Sequence, residues 1–291
     1  MLIDTHLHLI YRDKLTYPWI DENHALNRDS RYGDYATVAR RVGIVGALHM
    51  EVDVADEDRD AETDLVRSLM DQPESLLRGA IVSCRPESTA FPDWLERQLE
   101  RTEIKGFRRV LHVVPDDVST SRVFRDNVRR LSGTGLSFDL CVLPRQIPLA
   151  IELIDHCPEV QFVLDHCGVP DIKANAFSPW NEHMTRLAER QNVSAKISGV
   201  MAYGDLDRWT LEDLRPYVEH TIATFGWDRV IWGSDSPVCT LGGQIETWVA
   251  ATHALVEGCS REERDRLFHR NASRLWNIPS ASSSTRISSN Q

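Results

Sequence analysis

Two histidines one residue apart, His6 and His8, close the opening run Met1-Leu2-Ile3-Asp4-Thr5-His6-Leu7-His8-Leu9. Side chains at i and i+2 of a strand share a face, so the two imidazoles project together, about 6.6 Å apart along the chain. Imidazoles converging at a strand end can hold one metal ion or one substrate oxyanion. Taken alone, a His-x-His is more often a solvated pair on an open strand face. The other ionisable residues that end apolar runs therefore decide how it is read.

Asp235 is one of them. In Val230-Ile231-Trp232-Gly233-Ser234-Asp235-Ser236-Pro237 an apolar strand runs straight into a carboxylate flanked by serines and stopped by proline. Such a carboxylate can bind a metal or take a proton from water as a general base; the plainer alternative is an Asp that caps a turn. His166 follows Phe162-Val163-Leu164-Asp165 and precedes Cys167-Gly168, an immediate exit into a loop. It offers a third imidazole, or a hydrogen bond to a substrate carbonyl. Glu51 ends Leu48-His49-Met50-Glu51 and reads as a ligand, a substrate contact or one half of a rim ion pair. Lys196 sits inside the apolar run Val193-Ser194-Ala195-Lys196-Ile197, where an unpaired charge is expensive. Facing a substrate or pairing with Glu51 or Asp235 would each resolve that cost. Arg108 and Arg109 are adjacent in a strand, so only one can face inward, where its fork would suit a carboxylate or a polarised carbonyl. The other is expected in a surface pair. His112 lies near the end of the same run. Trp19 belongs to a long segment, Tyr11 to Gly33, that reads as a lid or binding loop.

The elements that must position these groups alternate along the chain. Strands are predicted at Leu2–Leu9, Ile44–Val52, Leu77–Cys84, Ile104–His112, Leu136–Leu143, Val160–His166, Val193–Ser198 and Val230–Ser234. Helices are predicted at Tyr35–Val42, Asp58–Asp71, Pro92–Arg101, Arg122–Leu131, Ile147–His156, Pro179–Arg190, Leu211–Phe225 and Ile245–Val256. Strands this apolar are covered on both faces. Eight such units fit a closed (β/α)8 TIM barrel in residues 1–279, with an extra C-terminal helix over Glu262–Trp276. An open doubly wound sheet would show a Gly-rich phosphate turn after an early strand, and none is present. The barrel reading sharpens the chemistry, because active sites in this fold sit at the C-terminal strand ends. The Ser-rich tail 280–291 is expected to be disordered.

Composition narrows the partners. A formal net charge of −11 with no basic stripe argues against nucleic acid, leaving a small-molecule substrate as the expected partner. No apolar run is long enough to span a bilayer. The first residues carry no basic flank, apolar signal core or cleavage site, so a cytoplasmic location is expected, with homo-oligomerisation compatible. The six cysteines form no C-x-x-C pair and read as thiols in a reducing compartment.

These segments, in this order, resemble the amidohydrolase superfamily, and within it the sugar-lactonase and pyrone-dicarboxylate-lactonase branch. The matching stretches are Asp4-Thr5-His6-Leu7-His8, Tyr17-Pro18-Trp19, Lys105-Gly106-Phe107-Arg108, Asp165-His166-Cys167-Gly168, Lys196-Ile197-Ser198-Gly199 and Gly233-Ser234-Asp235-Ser236-Pro237. The resemblance implies hydrolysis of a lactone of a sugar acid or related carboxylated molecule. Asp235 would be the general base, with His166 catalytic beside it. Arg108, Glu51, Lys196, Trp19 and His112 would contact substrate. It also implies one divalent ion, zinc first, on His6, His8 and Asp235, although some members of the branch work without metal. Binuclear relatives carry a bridging Lys or Glu after strand four and a His after strand five; here those places hold Arg108 and His112, and Cys141-Val142-Leu143-Pro144. A neighbouring branch decarboxylates aromatic acids on a similar ligand set, and a non-catalytic binding protein on the same barrel is a third reading.

Overall fold

The eight apolar runs become eight parallel strands: β1 Leu2–Leu7, β2 Ile44–Met50, β3 Leu77–Ser83, β4 Ile104–Val110, β5 Ser137–Cys141, β6 Gln161–Leu164, β7 Val193–Ser198 and β8 Val230–Gly233. They lie side by side in chain order. The ring closes where Asp235 N donates to His6 O at 2.8 Å and His8 N donates to Ser236 O at 2.7 Å. The protein is therefore a (β/α)8 barrel, described by a computed structural model over residues 1–22 and 24–279. The tail expected to be disordered lies outside the described residues. Among those described, no helix is long and apolar enough to cross a membrane, and all six cysteines are free thiols.

Strand alternation divides the apolar residues into two cores. Phe162 and Leu164 of β6, and Val230 and Trp232 of β8, join the large core between strands and helices. The residues between them, Val163 and Ile231, join a smaller cluster with Ile3, Leu48, Met50 and Ile81. That inner cluster is completed by Ala272 and Trp276 of the C-terminal helical run and Ile278 just beyond it, which therefore plug the barrel. The run is Arg261–Asp265, a π turn over Arg266–Arg270, and Asn271–Trp276. Ser260 starts it with a reciprocal capping box to Glu263, which satisfies two donors at the helix start. By the same parity Arg108, Asp139 and Lys196 fall on the inner set. An apolar floor with charged side chains next to it is thus written into the alternation of the strands.

Most strands end one or two residues earlier than the apolar runs suggest. The residues shed include His8, Glu51, His112 and His166, and at the eighth strand Ser234, next to Asp235. Left-handed backbone follows at two of these ends, His166 (φ 51°) and Asp235 (φ 59°), and in the β2 loop at Asp53 (φ 45°). Such torsions are sparsely populated for non-glycine residues and cluster at functional sites. At His166 and Asp235 they turn the chain out of the strand at the barrel mouth.

Candidate active site

His8 is held by the backbone of β2. Its Nδ1 donates to Met50 O and Glu51 O, each at 3.0 Å. Carbonyls only accept, so the proton is on Nδ1 and the lone pair on Nε2. That Nε2 lies 3.2 Å from His6 Nε2 and 3.4 Å from Asp235 Oδ1, and His6 Nε2 lies 3.7 Å from the same oxygen. Both Asp235 oxygens are buried and have no hydrogen-bond partner among the described residues. Burial pushes the Asp235 carboxyl up to about 6 against the pull of His166 and Arg108. Burial, Arg108 and His49 push His8 down to about 3, and burial holds His6 and His166 below the ordinary histidine value.

The triangle fits one metal ion. Ligand atoms about 2.0–2.2 Å from zinc in a tetrahedron stand roughly 3.3–3.5 Å apart, close to the three edges found here. A histidine whose Nδ1–H is tied to a carbonyl is the usual second-shell arrangement of a ligand. Two unpartnered buried carboxylate oxygens ask for a cation or a proton. A second group, His6, Asp165 and His166, also converges, but its cation is the protein's own: Lys196 Nζ lies 2.9 Å from Asp165 Oδ1 and 3.2 Å from His6 Nδ1.

Beside the triangle runs a chain of alternating charge. Arg108 Nε donates to Glu51 Oε1 at 2.6 Å, Nη2 donates to Glu51 O at 2.8 Å, and Nη1 faces Asp165 Oδ2 at 3.3 Å. Lys196 Nζ joins Asp165 to Asp139, 2.8 Å away. Burial opposes every charge in this chain, but the neighbours prevail at most of them. Asp165 is held well below the usual carboxylate range by Lys196 and His6, and Glu51 is held low by Arg108. Lys196 is raised by Asp139 and Asp165. Asp139 goes the other way, pushed up by its burial.

The predicted residues therefore divide. His8, His166, Asp235, Arg108, His112 and Trp19 line one cavity of about 320 Å³ above the strand ends. Glu51 and Lys196 do not line it: Glu51 is an anchor for Arg108, and Lys196 is completely buried. Lys196 pairs with Asp139 and Asp165, not with Glu51 or Asp235. Arg108 is the inward arginine, yet its fork is already occupied by Glu51 and Asp165. Arg109 is not a surface residue. It is 9% exposed and donates to Glu87 at 2.9 Å behind the rim, with Asp53 at 4.0 Å.

The long segment after β1 does cover the mouth. Trp19 Nε1 donates to Val52 O at 2.7 Å, Arg28 donates to Thr240 at 3.0 Å, and Ile10 pairs with Ser30 at its base. It thus spans from the β2 loop to the β8 loop.

Two important acids escape a sequence reading. Asp165 is next to His166, and strand alternation would put the two on opposite faces; the left-handed turn at His166 and Cys167 (φ 53°) brings both into the site. Asp139 has the same parity as Cys141, and the cost argument applied to Lys196 would have found it. Ser198 is also new: its Oγ lies 2.9 Å from His166 Nδ1.

Residues 3–278 match the amidohydrolase family. The chain belongs to that family. Among curated relatives of this amidohydrolase, an L-fucono-1,5-lactonase of Burkholderia ambifaria is 29% identical over 66% of this chain and 68% of its own. An L-fucono-1,5-lactonase of Burkholderia multivorans is 25% identical over 95% of this chain and 96% of its own. A solved amidohydrolase of Burkholderia multivorans with bound zinc superposes with a TM-score of 0.87 at 22% identity. That match covers 96% of this chain and all of the other.

Gly199 gives the site a sharp test. It has φ 59°, and a Cβ there would overlap the Asp235 carboxylate. Gly199→Ala is expected to displace Asp235 and lower kcat by about an order of magnitude, since small misplacements of catalytic groups are costly. Steady-state kinetics with a circular dichroism control checks this; unchanged kcat in a folded variant contradicts the placement.

Proposed function

We propose that this amidohydrolase opens a lactone, a cyclic ester, with Asp235 as the general base. The observation that carries the reading is the unpartnered, buried Asp235 carboxylate at the floor of the cavity, with three imidazoles around it. The lactonase relatives support it. A divalent cation held by His6, His8 and Asp235 would polarise the lactone carbonyl and acidify water.

This chain's own residues do the rest. Asp235 accepts a proton from the water that attacks the acyl carbon and later returns it to the departing ring oxygen, yielding a hydroxy acid. His166, whose Nδ1 faces both the hydroxyl of Ser198 at 2.9 Å and its carbonyl at 3.3 Å, is held beside Asp235 on the wall of the cavity. Arg108 contributes charge near the floor rather than a free fork. A lactone panel read by pH indicator, with carbon dioxide release from aromatic acids measured in parallel, tests the reading. Proton release from a lactone supports it, and decarboxylation without lactone opening contradicts it.

The titration of Asp235 predicts how a cation binds. Its raised pKa means that below about 6 the group carries a proton, which a cation must displace, while the histidines are already neutral. In protein stripped by chelation, zinc affinity is expected to fall as pH drops through about 6, with proton release on binding and one equivalent bound. Calorimetry in buffers of different ionisation heat reads both. Affinity flat between about pH 5 and pH 8 contradicts it, as does a second required equivalent.

A further inference from the structure

We infer that the molecule seated in this cavity is uncharged and carries an apolar group, alkyl or aryl, on its ring; the inference rests on the lactone reading above and deepens it. The upper walls are Ile10, Leu26, Val52, Val113 and Val238, with Trp19 as the lid. None of the five aliphatic side chains can form a hydrogen bond. The indole N–H of Trp19 is already given to Val52 O. Val113 is 60% exposed at the mouth, so the apolar wall continues to the surface. Large exposed apolar side chains that continue a pocket mark a ligand-contacting surface.

The upper walls offer an anion no free cation, and the Tyr203 hydroxyl is a neutral donor on the lining near His166. Arg108 is the guanidinium that reaches the cavity, and both of its faces are committed, to Glu51 at 2.6 Å and to Asp165 at 3.3 Å. Arg109 points away to Glu87. His112 shares its Nδ1 with Cys141 Sγ at 3.2 Å, and burial and Arg108 hold it neutral. Asp53, an acid paired with Arg85 at 3.4 Å, stands on the same wall. A ring carboxylate held against these upper walls would therefore lose its hydration without gaining a cationic partner. A ring bearing several hydroxyls fares little better: the groups facing the upper walls would stay unpaired against valine and leucine, each at the penalty of an unmade hydrogen bond. An alkyl or aryl group instead removes these walls from water. The cavity volume, about 320 Å³, admits a five- or six-membered ring with a short chain.

Cyclic ketones test the preference without needing turnover, because they keep the ring and carbonyl but have no ester bond to break. Binding of a series of 2-alkyl cyclohexanones to the protein as purified is measured by calorimetry, beside a 2-carboxyalkyl and a polyhydroxylated cyclohexanone. Affinity is expected to rise roughly fourfold per methylene over the first few carbons, with both polar analogues at least tenfold weaker than the alkyl ketone of equal size. Val113→Lys, at an exposed position, should flatten the alkyl trend and improve the carboxylated analogue. A carboxylated or polyhydroxylated ketone that binds the wild type as tightly as the alkyl one overturns the inference, and so does no measurable binding of any alkyl ketone. The lactone panel separates the two readings. Fastest opening of a carboxylated lactone would keep hydrolysis and remove this inference. The predicted ketone ranking without any lactone turnover would keep the apolar, uncharged occupant and remove hydrolysis.

Discussion

Lys196→Met is expected to destabilise the protein by about 3–5 kcal/mol, because it leaves buried carboxylates without their cation. The ammonium lies 2.8 Å from Asp139 and 2.9 Å from Asp165, and all three side chains are fully buried. Methionine has nearly the same length and shape, so packing changes little and the loss reports charge. A penalty of that size is a large share of the stability of an ordinary domain. Chemical denaturation of the single variant, and of Lys196→Met combined with Asp139→Asn, measures the effect. The second change removes one stranded charge and should restore part of the loss. A single variant within about 1 kcal/mol of wild type would mean that the buried charge chain does not hold the barrel interior.

Asp235→Asn carries the largest expected effect on activity, a fall in kcat of at least two orders of magnitude, the usual scale for a lost general base. The amide matches the carboxylate in shape but cannot take a proton from water. Its backbone contacts survive, since Asp235 N still donates to His6 O and Asp235 O still accepts from Cys239 N, each at 2.8 Å. The fold and the closure between β1 and β8 should therefore persist in circular dichroism and thermal melting. Near-wild-type turnover in the folded variant contradicts the assignment.

The barrel and the centre of its site were legible in the sequence for one physical reason. Parallel strands covered on both faces must be apolar, so an ionisable residue at the end of such a run stands out. His6, His8, His166 and Asp235 were visible in this way, and the structure brings them together. Period-two reasoning fails once the backbone leaves the strand. Alternation places Asp165 opposite His166, and only the left-handed turn at His166 brings both into the site. Long side chains fail for another reason: their partners are set by where the ring of strands closes. Lys196 and Arg108 were expected near substrate, but Asp139, Asp165 and Glu51 reach them first. The function of Arg109 was misjudged for a similar reason, as the loops after β2 and β3 fold over it.

The most direct test of the central claim follows the oxygen atom. The lactone opened fastest in the panel is hydrolysed in ¹⁸O-labelled water by the wild type and by Asp235→Asn, and the product is analysed by mass spectrometry. Attack of water on the acyl carbon predicts one ¹⁸O in the carboxylate and none in the released hydroxyl, with the rate lost in Asp235→Asn. Label in the hydroxyl, an unaffected rate in the variant, or no lactone opened by the wild type would contradict base-assisted lactone hydrolysis at Asp235.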